Sequence, residues 1–433
     1  MQTKALPGFR DFYPDDLARR NHIFETWRTV ATRYGFEEYD GPPLEPLELY
    51  TAKSGQEIVG QLYSFEDKGG RQVSLRPEMT PTLARMVAAR ANGLKKPIRW
   101  FSIPQLFRYE RQQRGRLREH FQLNCDLIGE PGPLADAEII ALAVDVMRAF
   151  GLGPTDVRVR LSDRRVLRAL LRGAGVPEDR LPDAYQAVDK IERMKREELV
   201  TQLGAVGLAT GTIERIFEVA QVRGLPAVEA AFERLHADPA GLAPLRAVVA
   251  ALGALGLAEF IDVDLSIVRG LAYYTGTVFE LFDAGRTLRA ICGGGRYDSL
   301  LESLGGVDLP ALGFGMGDVV LGELLKDRGL APGGAAGLDV FVAAVTEDDV
   351  PHVLALAREL RDAGLSVEYA LGGQPVGKQL KLADARAARA AVVIGPDDRA
   401  RGEVQLKDLG AKSQRAVPRQ DLVGQLTQGA PVG

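Results

Sequence analysis

Apolar and aromatic side chains recur at helical spacing over residues 15 to 34, at Leu17, Ile23, Phe24, Trp27, Val30 and Tyr34, a period that predicts an amphipathic helix. Pro14-Asp15 supplies its start and Gly35 its end. The cluster Gly41-Pro42-Pro43 then imposes extended or turning backbone before Leu44 to Tyr50. Between Trp100 and Gly129 the period shortens to strands around a polar turn, Gln112-Gln113-Arg114-Gly115, and predicts an antiparallel hairpin. On its returning strand Gln122, Asn124 and Asp126 alternate with Phe121, Leu123, Cys125 and Leu127. Period-two geometry sends the polar groups to one face and the apolar ones to the other.

Residues 176 to 255 are rich in Ala, Leu, Glu and Arg at helical spacing, as in Ala184 to Leu199, and read as a helical insertion. Strand-like text resumes at Ile261 to Val268 and Tyr273 to Phe282, followed by the glycine-dense Gly293-Gly294-Gly295 and Gly313 to Gly317, so the first domain continues beyond the insertion. Residues 331 to 337 have linker composition. Beyond them strands alternate with helices: Asp339 to Val345, Val350 to Ala363, Ser366 to Ala370, Gly377 to Ala387 and Ala391 to Ile394. The expected division is a core over 1–330 that includes the 176–255 insertion, a linker over 331–337, and an α/β domain over 338–433.

Composition narrows the class. The 433 residues are 46 % hydrophobic and 26 % charged, as in soluble multidomain proteins, and no run of ~18 apolar residues offers a membrane span. The first eight residues lack an apolar signal core, and only Cys125 and Cys292 could pair, which points to a reducing cytoplasm. With a net charge of -4 any RNA partner must be held by local patches. His22, His120, His236 and His352 are scattered away from cysteine, so no structural metal is expected.

Five arginines crowd the hairpin, Arg108, Arg111, Arg114, Arg116 and Arg118, with Glu110 among them. Guanidinium forks suit phosphate recognition, although a solvated basic turn has the same composition. The alternation at Gln122, Asn124 and Asp126 builds a polar floor or an exposed sheet face. Arg269 stands on a glycine-flanked turn before the aromatic strand of Tyr273 and Tyr274, either placed by rigid backbone or a surface arginine beside core tyrosines. Glu78 and Thr80, at i and i+2, can meet an ammonium group or cap a helix. A phosphate-binding P-loop over Gly372 to Gln379 fails at its last position, where Mg²⁺ requires Ser or Thr. Gly313-Phe314-Gly315-Met316-Gly317 likewise fails the dinucleotide-binding spacing.

In order, spacing and wording these segments resemble histidyl-tRNA synthetases along nearly the whole chain. Pro7-Gly8-Phe9-Arg10-Asp11 through Pro43 looks like the family's motif 1, which builds a dimer interface. Phe107-Arg108-Tyr109-Glu110-Arg111 to Phe121-Gln122 looks like motif 2. Arg269 to Gly276 and Gly294-Gly295-Arg296-Tyr297-Asp298 look like its two histidine-specific signatures. Gly377-Lys378-Gln379-Leu380-Lys381, with Arg401 to Val404 and Leu406-Lys407-Asp408, is similar to its anticodon-binding domain. The resemblance implies an α+β class II synthetase core, with an antiparallel sheet and helical insertion, and a C-terminal α/β anticodon-binding domain. It implies a homodimeric aminoacyl-tRNA synthetase that uses ATP, with Mg²⁺, to activate L-histidine and transfers it to tRNA(His).

The same resemblance implies residue roles. Glu78 and Thr80 would receive the histidine ammonium, Gln122 would hold the amino acid, and Asp126, Tyr273 and Tyr274 would read the imidazole. Arg108 would grip the α-phosphate, Glu110 would face adenine or its amino group, and Arg116 would hold the β- and γ-phosphates. Arg269 would act, with Arg108, as a fixed catalytic cation beside the reacting carboxylate. Two positions depart from the commoner pattern: Val320 stands where an arginine stacks on ATP, and Ala272 where aspartate is frequent. The rival reading is a histidine-binding regulatory paralogue that partners ATP phosphoribosyltransferase. Such paralogues generally lack the anticodon domain and parts of the signatures, which this chain retains.

Overall fold

The computed structural model describes residues 4–51, 59–111, 113, 115–268, 274–335 and 337–427. The chain divides into two compact units, Met1–Tyr13 with Arg19–Pro332 and Pro14–Ala18 with Gly333–Gly433.

The strands of the first unit are β1 (Glu37–Glu38), β2 (Leu44–Pro46), β3 (Tyr63–Glu66), β4 (Gln72–Leu75), β5 (Ile98–Ser102), β6 (Gln105–Phe107), β7 (Glu119–Ile128), β8 (Val157–Asp163), β9 (Ile261–Val263), β10 (Thr277–Asp283), β11 (Cys292–Arg296) and β12 (Ala311–Gly317). Among the described residues one large sheet runs β1-β5-β7-β12-β11-β10-β8-β9, with β6 beside the start of β7. Its pairs are antiparallel except β1 with β5 and β8 with β9. A smaller sheet, β2-β4-β3, stands apart from it.

Because side chains alternate along each strand, the large sheet has two unlike faces. Leu123, Cys125, Leu127, Phe279, Leu281, Cys292, Leu312, Phe314 and Met316 belong to one buried apolar cluster. The helix Pro133–Ala149 packs on β7, β11 and β12 in the same cluster, burying Ile139, Ile140, Val144 and Met147. Each such side chain contributes about 1.5–3 kcal/mol on leaving water. Both thiols lie here: Cys125 is fully buried and Cys292 nearly so, and neither is in a disulfide.

The opening helix spans Pro14–Arg33, with proline in its first turn and Asp15 and Asp16 against the positive end of its dipole. Gly35 stops it in the left-handed region at φ 73°. Helices fill the stretch expected to be helical: Leu181–Lys190, Arg196–Ala205, Thr210–Ala220, Leu225–Arg234 and Ala243–Ala254. The strand expected over Ile261 to Val268 is cut to β9, because Asp264 leaves the strand to take an ion pair from Arg160 (2.5 Å) and one from Arg223 (2.9 Å). The glycine-dense stretches, whose composition predicts no element, are the central strands β11 and β12.

In the second unit β13 (Val340–Ala344), β14 (Val367–Tyr369), β15 (Ala390–Ile394), β16 (Glu403–Asp408) and β17 (Ser413–Pro418) lie in the order β14-β13-β15-β16-β17. The first three are parallel and the last two antiparallel. Val340 and Val342 pack with the helix Val350–Asp362, while Phe341 and Ala343 pack on the other face with Ala383. Parallel strands need such cover on both faces. Gln379, at the failed P-loop position, is buried. Its amide accepts from Ala344 N (3.1 Å) and donates to the oxygens of Ala344 (2.8 Å) and Gln374 (2.7 Å). That side chain staples helix to strand and leaves no hydroxyl for a metal.

Candidate active site

The second face of the large sheet carries the chemistry. Strand register sets two rows across it, Asp126–Gly313–Gly295–Val278–Ser162 and Asn124–Gly315–Gly293–Glu280–Arg160. Directly paired residues share a face, so polar groups of β7 stand on one side, glycines pave the middle, and Glu280 and Arg160 stand on the other. A Cβ on Gly313 would lie 2.3 Å from Asp126 Oδ1, and one on Gly315 would lie 2.7 Å from Gln122 Cδ. The glycines are what keep Asp126 and Gln122 upright over an open floor.

A cavity of about 650 Å³ opens along this face, lined by Arg108, Glu110, Arg116, His120, Glu280 and Val320 among others. The residues proposed from sequence for ATP therefore meet in one place, apart from Arg269. Arg108 donates from Nε to Pro77 O (2.9 Å), which ties the arginine-rich arm to the turn carrying Glu78. Arg116 is ion-paired with Glu110, a buried carboxylate. The remaining hairpin arginines diverge. Arg118 stacks its guanidinium 3.9 Å from the Tyr109 ring centroid, Arg111 is exposed, and Arg114 lies outside the described residues.

Of the described residues proposed for histidine, none of Glu78, Thr80, Gln122, Asp126 and Tyr274 lines that cavity. Gln122 and Asp126 sit on β7, and Asp126 is buried, its Oδ1 accepting from the Tyr297 hydroxyl. Burial pushes the Asp126 carboxyl up to about 7, against the downward pull of that hydrogen bond. Tyr274 is buried with Tyr297 and Val278 in one cluster. Its ring crowds Gly295, where a Cβ would approach Cδ1 to 2.9 Å. Glu78 and Thr80 are half-buried, and Thr80 is the first residue of the helix Thr80–Arg90. The cap position is Met79, which makes no side-chain cap bond, so Thr80 is not the cap. Arg269, Ala272 and Tyr273 lie outside the described residues.

Several residues of the site were not singled out in the sequence. His120 lines the cavity, and its imidazole is pushed down to about 3 by burial first and then by Arg108, Arg10 and Arg116, so it stays neutral at physiological pH. Arg193 and Arg289 add cations to the walls. Arg10 bridges Glu119 (2.6 Å) and Asp318 (2.9 Å), and Asp318 accepts from Phe121 N (2.9 Å). This network fixes the start of β7 beneath the cavity. Among the described residues no three His, Cys, Asp or Glu gather as a metal site, and no helix is long and apolar enough to cross a membrane.

Comparison with known proteins agrees with this geometry. The family model for histidyl-tRNA synthetase matches residues 8–317 and that for an anticodon-binding domain matches residues 339–428. A histidine–tRNA ligase of Opitutus terrae is 49 % identical over 424 residues, 97 % of each chain. The chloroplastic/mitochondrial histidine–tRNA ligase of Arabidopsis thaliana is 41 % identical over 96 % of this chain and 85 % of its own. The crystal structure of histidyl-tRNA synthetase from a Nostoc species superposes with a TM-score of 0.84 at 26 % identity, covering 99 % of this chain and all of that one. With matching models over both parts and relatives of this identity along nearly its full length, the chain belongs to the histidyl-tRNA synthetase family.

Proposed function

We infer that this chain is a histidine–tRNA ligase whose arginine-lined cavity takes ATP and whose glycine-paved floor takes histidine. The observation that carries the reading is their adjacency. Arg108 and Arg116 bound one end of the face that bears Gln122 and Asp126. In the first step an oxygen of the histidine carboxylate attacks the α-phosphorus and pyrophosphate departs. In the second a terminal ribose hydroxyl of tRNA(His) attacks the acyl carbon and AMP departs. No covalent enzyme intermediate is needed.

Alignment and charge stabilisation do the work. Arg108 neutralises the α-phosphate, with Arg269 opposite it on the reacting carboxylate. Arg116 exchanges Glu110 for the β- and γ-phosphates, which frees Glu110 for the adenine amino group. ATP would carry Mg²⁺ as its counterion, and Glu280, a carboxylate on the cavity wall, is the residue that would hold it. Glu78 and Thr80 take the ammonium, Gln122 the amino acid backbone, and Asp126 with Tyr273 and Tyr274 the imidazole. Residues 1–330 form the catalytic core, 331–337 a linker and 338–433 the anticodon-binding part of a cytoplasmic homodimer. Val320 fills the wall with apolar bulk where an arginine is commoner, so ATP is held by the remaining arginines.

A histidine-dependent ATP–pyrophosphate exchange assay tests the reading. Exchange that requires histidine, followed by charging of tRNA(His), is expected. A histidine-binding regulatory protein would bind the amino acid without exchange, and that result overturns the assignment.

A further inference from the structure

The loop that joins β10 to β11 is built to present one arginine. Asp283, the last residue of β10, is buried, and its carboxylate accepts from Thr287 N (3.0 Å), Thr287 Oγ1 (3.0 Å) and Leu288 N (2.9 Å). These bonds fold the loop back on its own strand. Leu288 packs against the sheet core, and strand pairing resumes at Ile291, whose N–H donates to Leu281 O (2.8 Å). Arg289 lies between these two anchors and lines the arginine-rich cavity. Its backbone is fixed on both sides while its side chain stays exposed.

The guanidinium reaches the tip of the arginine-rich arm, where Nη2 of Arg289 donates to Gln113 Oε1 (2.8 Å). Gln113 and Arg116 are bonded across that tip, Gln113 N to Arg116 O (3.2 Å) and Arg116 N to Gln113 O (2.9 Å). Arg289 and Arg116 therefore meet at one turn. Their commitments differ. Arg116 is ion-paired with Glu110, whereas Arg289 meets no carboxylate among the described residues. Val320 stands against the same turn, where a Cβ on Gly115 would lie 3.2 Å from its Cγ2, and it brings no charge there.

We propose that Arg289 is a nucleotide-binding residue, which joins Arg116 on the β- and γ-phosphates of ATP and holds the departing pyrophosphate. The inference rests on the nucleotide reading of the cavity above and adds a residue to it. An arginine fork with no carboxylate partner gains more from a polyphosphate than one that must first release Glu110. Its bond to Gln113 joins it to a neutral amide and is readily exchanged for one to an anionic oxygen. Position decides which phosphates it meets. Arg289 grips the turn of Arg116, whereas Arg108 is tied to Pro77 O at the base of the arm.

The test measures pyrophosphate exchange by full-length wild type, Arg289→Ala, Arg289→Lys, Gln113→Ala and Arg116→Ala. Because Arg289 is exposed, its replacement leaves the core intact. Arg289→Ala should raise the KM values of both ATP and pyrophosphate about tenfold or more, the size of one charge-assisted contact, and leave the histidine KM unchanged. Arg289→Lys should recover part of that loss, since it restores the charge without the fork. Inhibition by a sulfamate analogue of histidyl-adenylate, which carries no β- or γ-phosphate, should be the same in Arg289→Ala as in wild type. Unmoved KM values for ATP and pyrophosphate overturn the proposal, as does an equal loss toward the analogue, which marks a role elsewhere on the nucleotide or a merely structural one. Gln113→Ala removes the hydrogen bond and keeps the cation. Should it reproduce the losses of Arg289→Ala, Arg289 only braces the turn and the proposal fails. Arg116→Ala separates the two levels. If neither arginine variant moves the ATP KM, the cavity is not the nucleotide site; if folded Arg116→Ala raises it and Arg289→Ala does not, only the role of Arg289 fails.

Discussion

Replacing Asp126 by Asn removes a charge from a place that resists it. The carboxyl titrates near 7 in the fold because burial disfavours its ionised form, against about 3.9 in the unfolded chain. Its contribution is therefore full below pH ~4 and is lost as the pH rises through ~7. Asp126→Asn should melt at a higher temperature than wild type, by an excess that grows between those limits and levels off above them. The same variant should lose discrimination for histidine, the usual trade between a strained polar site and stability. Paired melting curves and exchange kinetics check both halves; a variant no more stable at pH ~8 than at pH ~4 contradicts the burial argument. Arg269→Ala, chosen from sequence, should cut exchange by a hundredfold or more, about 3 kcal/mol for one preorganised cation, while histidine binding largely survives. Exchange close to wild type would remove that role. Sequence alone disclosed Asp126 through its alternation with Leu123, Cys125 and Leu127. It disclosed neither Tyr297 as the partner of Asp126 nor His120 as a cavity residue. Their significance arises from contacts with remote segments, and local periodicity holds no trace of those.

At the level of elements, the opening helix and the hairpin strand β7 were legible because each has one apolar and one polar side over many residues. β11 and β12 were not. Glycine is depleted in strands because it packs nothing, and here a Cβ at 313 or 315 would strike the Asp126 or Gln122 side chain, so the emptiness keeps the polar face of β7 open. The signal was present as glycines two apart, at 293 and 295 and again at 313, 315 and 317, the period of a single strand face. The hairpin of β16 and β17 likewise lacks a one-sided pattern over many residues, and its charged residues carry only a family likeness. The floor makes a contrast that kinetics can resolve. Gly315→Ala meets the far end of the flexible Gln122 side chain at 2.7 Å, so it should fold with little loss of stability yet raise the histidine KM severalfold. Gly313→Ala meets the carbonyl oxygen of Cys125 at 2.6 Å as well as the Asp126 carboxylate, and backbone does not yield, so it should lower the melting temperature too. Equal melting losses for the two would mean that strand propensity, and not close approach, governs these positions.

Over the whole molecule, each unit owns its apolar clusters, with the sheet core in the first and the clusters about β13 in the second. Units with their own cores fold apart. Deleting residues 338 to 433 should therefore leave pyrophosphate exchange largely intact and depress tRNA charging, with a raised KM for tRNA. Lys378, Lys381 and Lys407 leave with the deleted part, so fewer counterions are released on RNA binding and the salt dependence of charging should flatten. Exchange that dies in a folded truncation, or charging that is unaffected, would refute the division of labour. The two cysteines have a further use. Cys125 and Cys292 both point into the sheet core, and burial holds the Cys125 thiol in its unreactive protonated form. The native chain should thus be silent toward a thiol reagent such as a maleimide until the catalytic sheet itself opens. Slow labelling then becomes a clock for that opening, read with and without histidine, ATP or tRNA. Against so dark a background, one cysteine introduced on the surface would carry a spectroscopic probe by itself, with both natural thiols left in place.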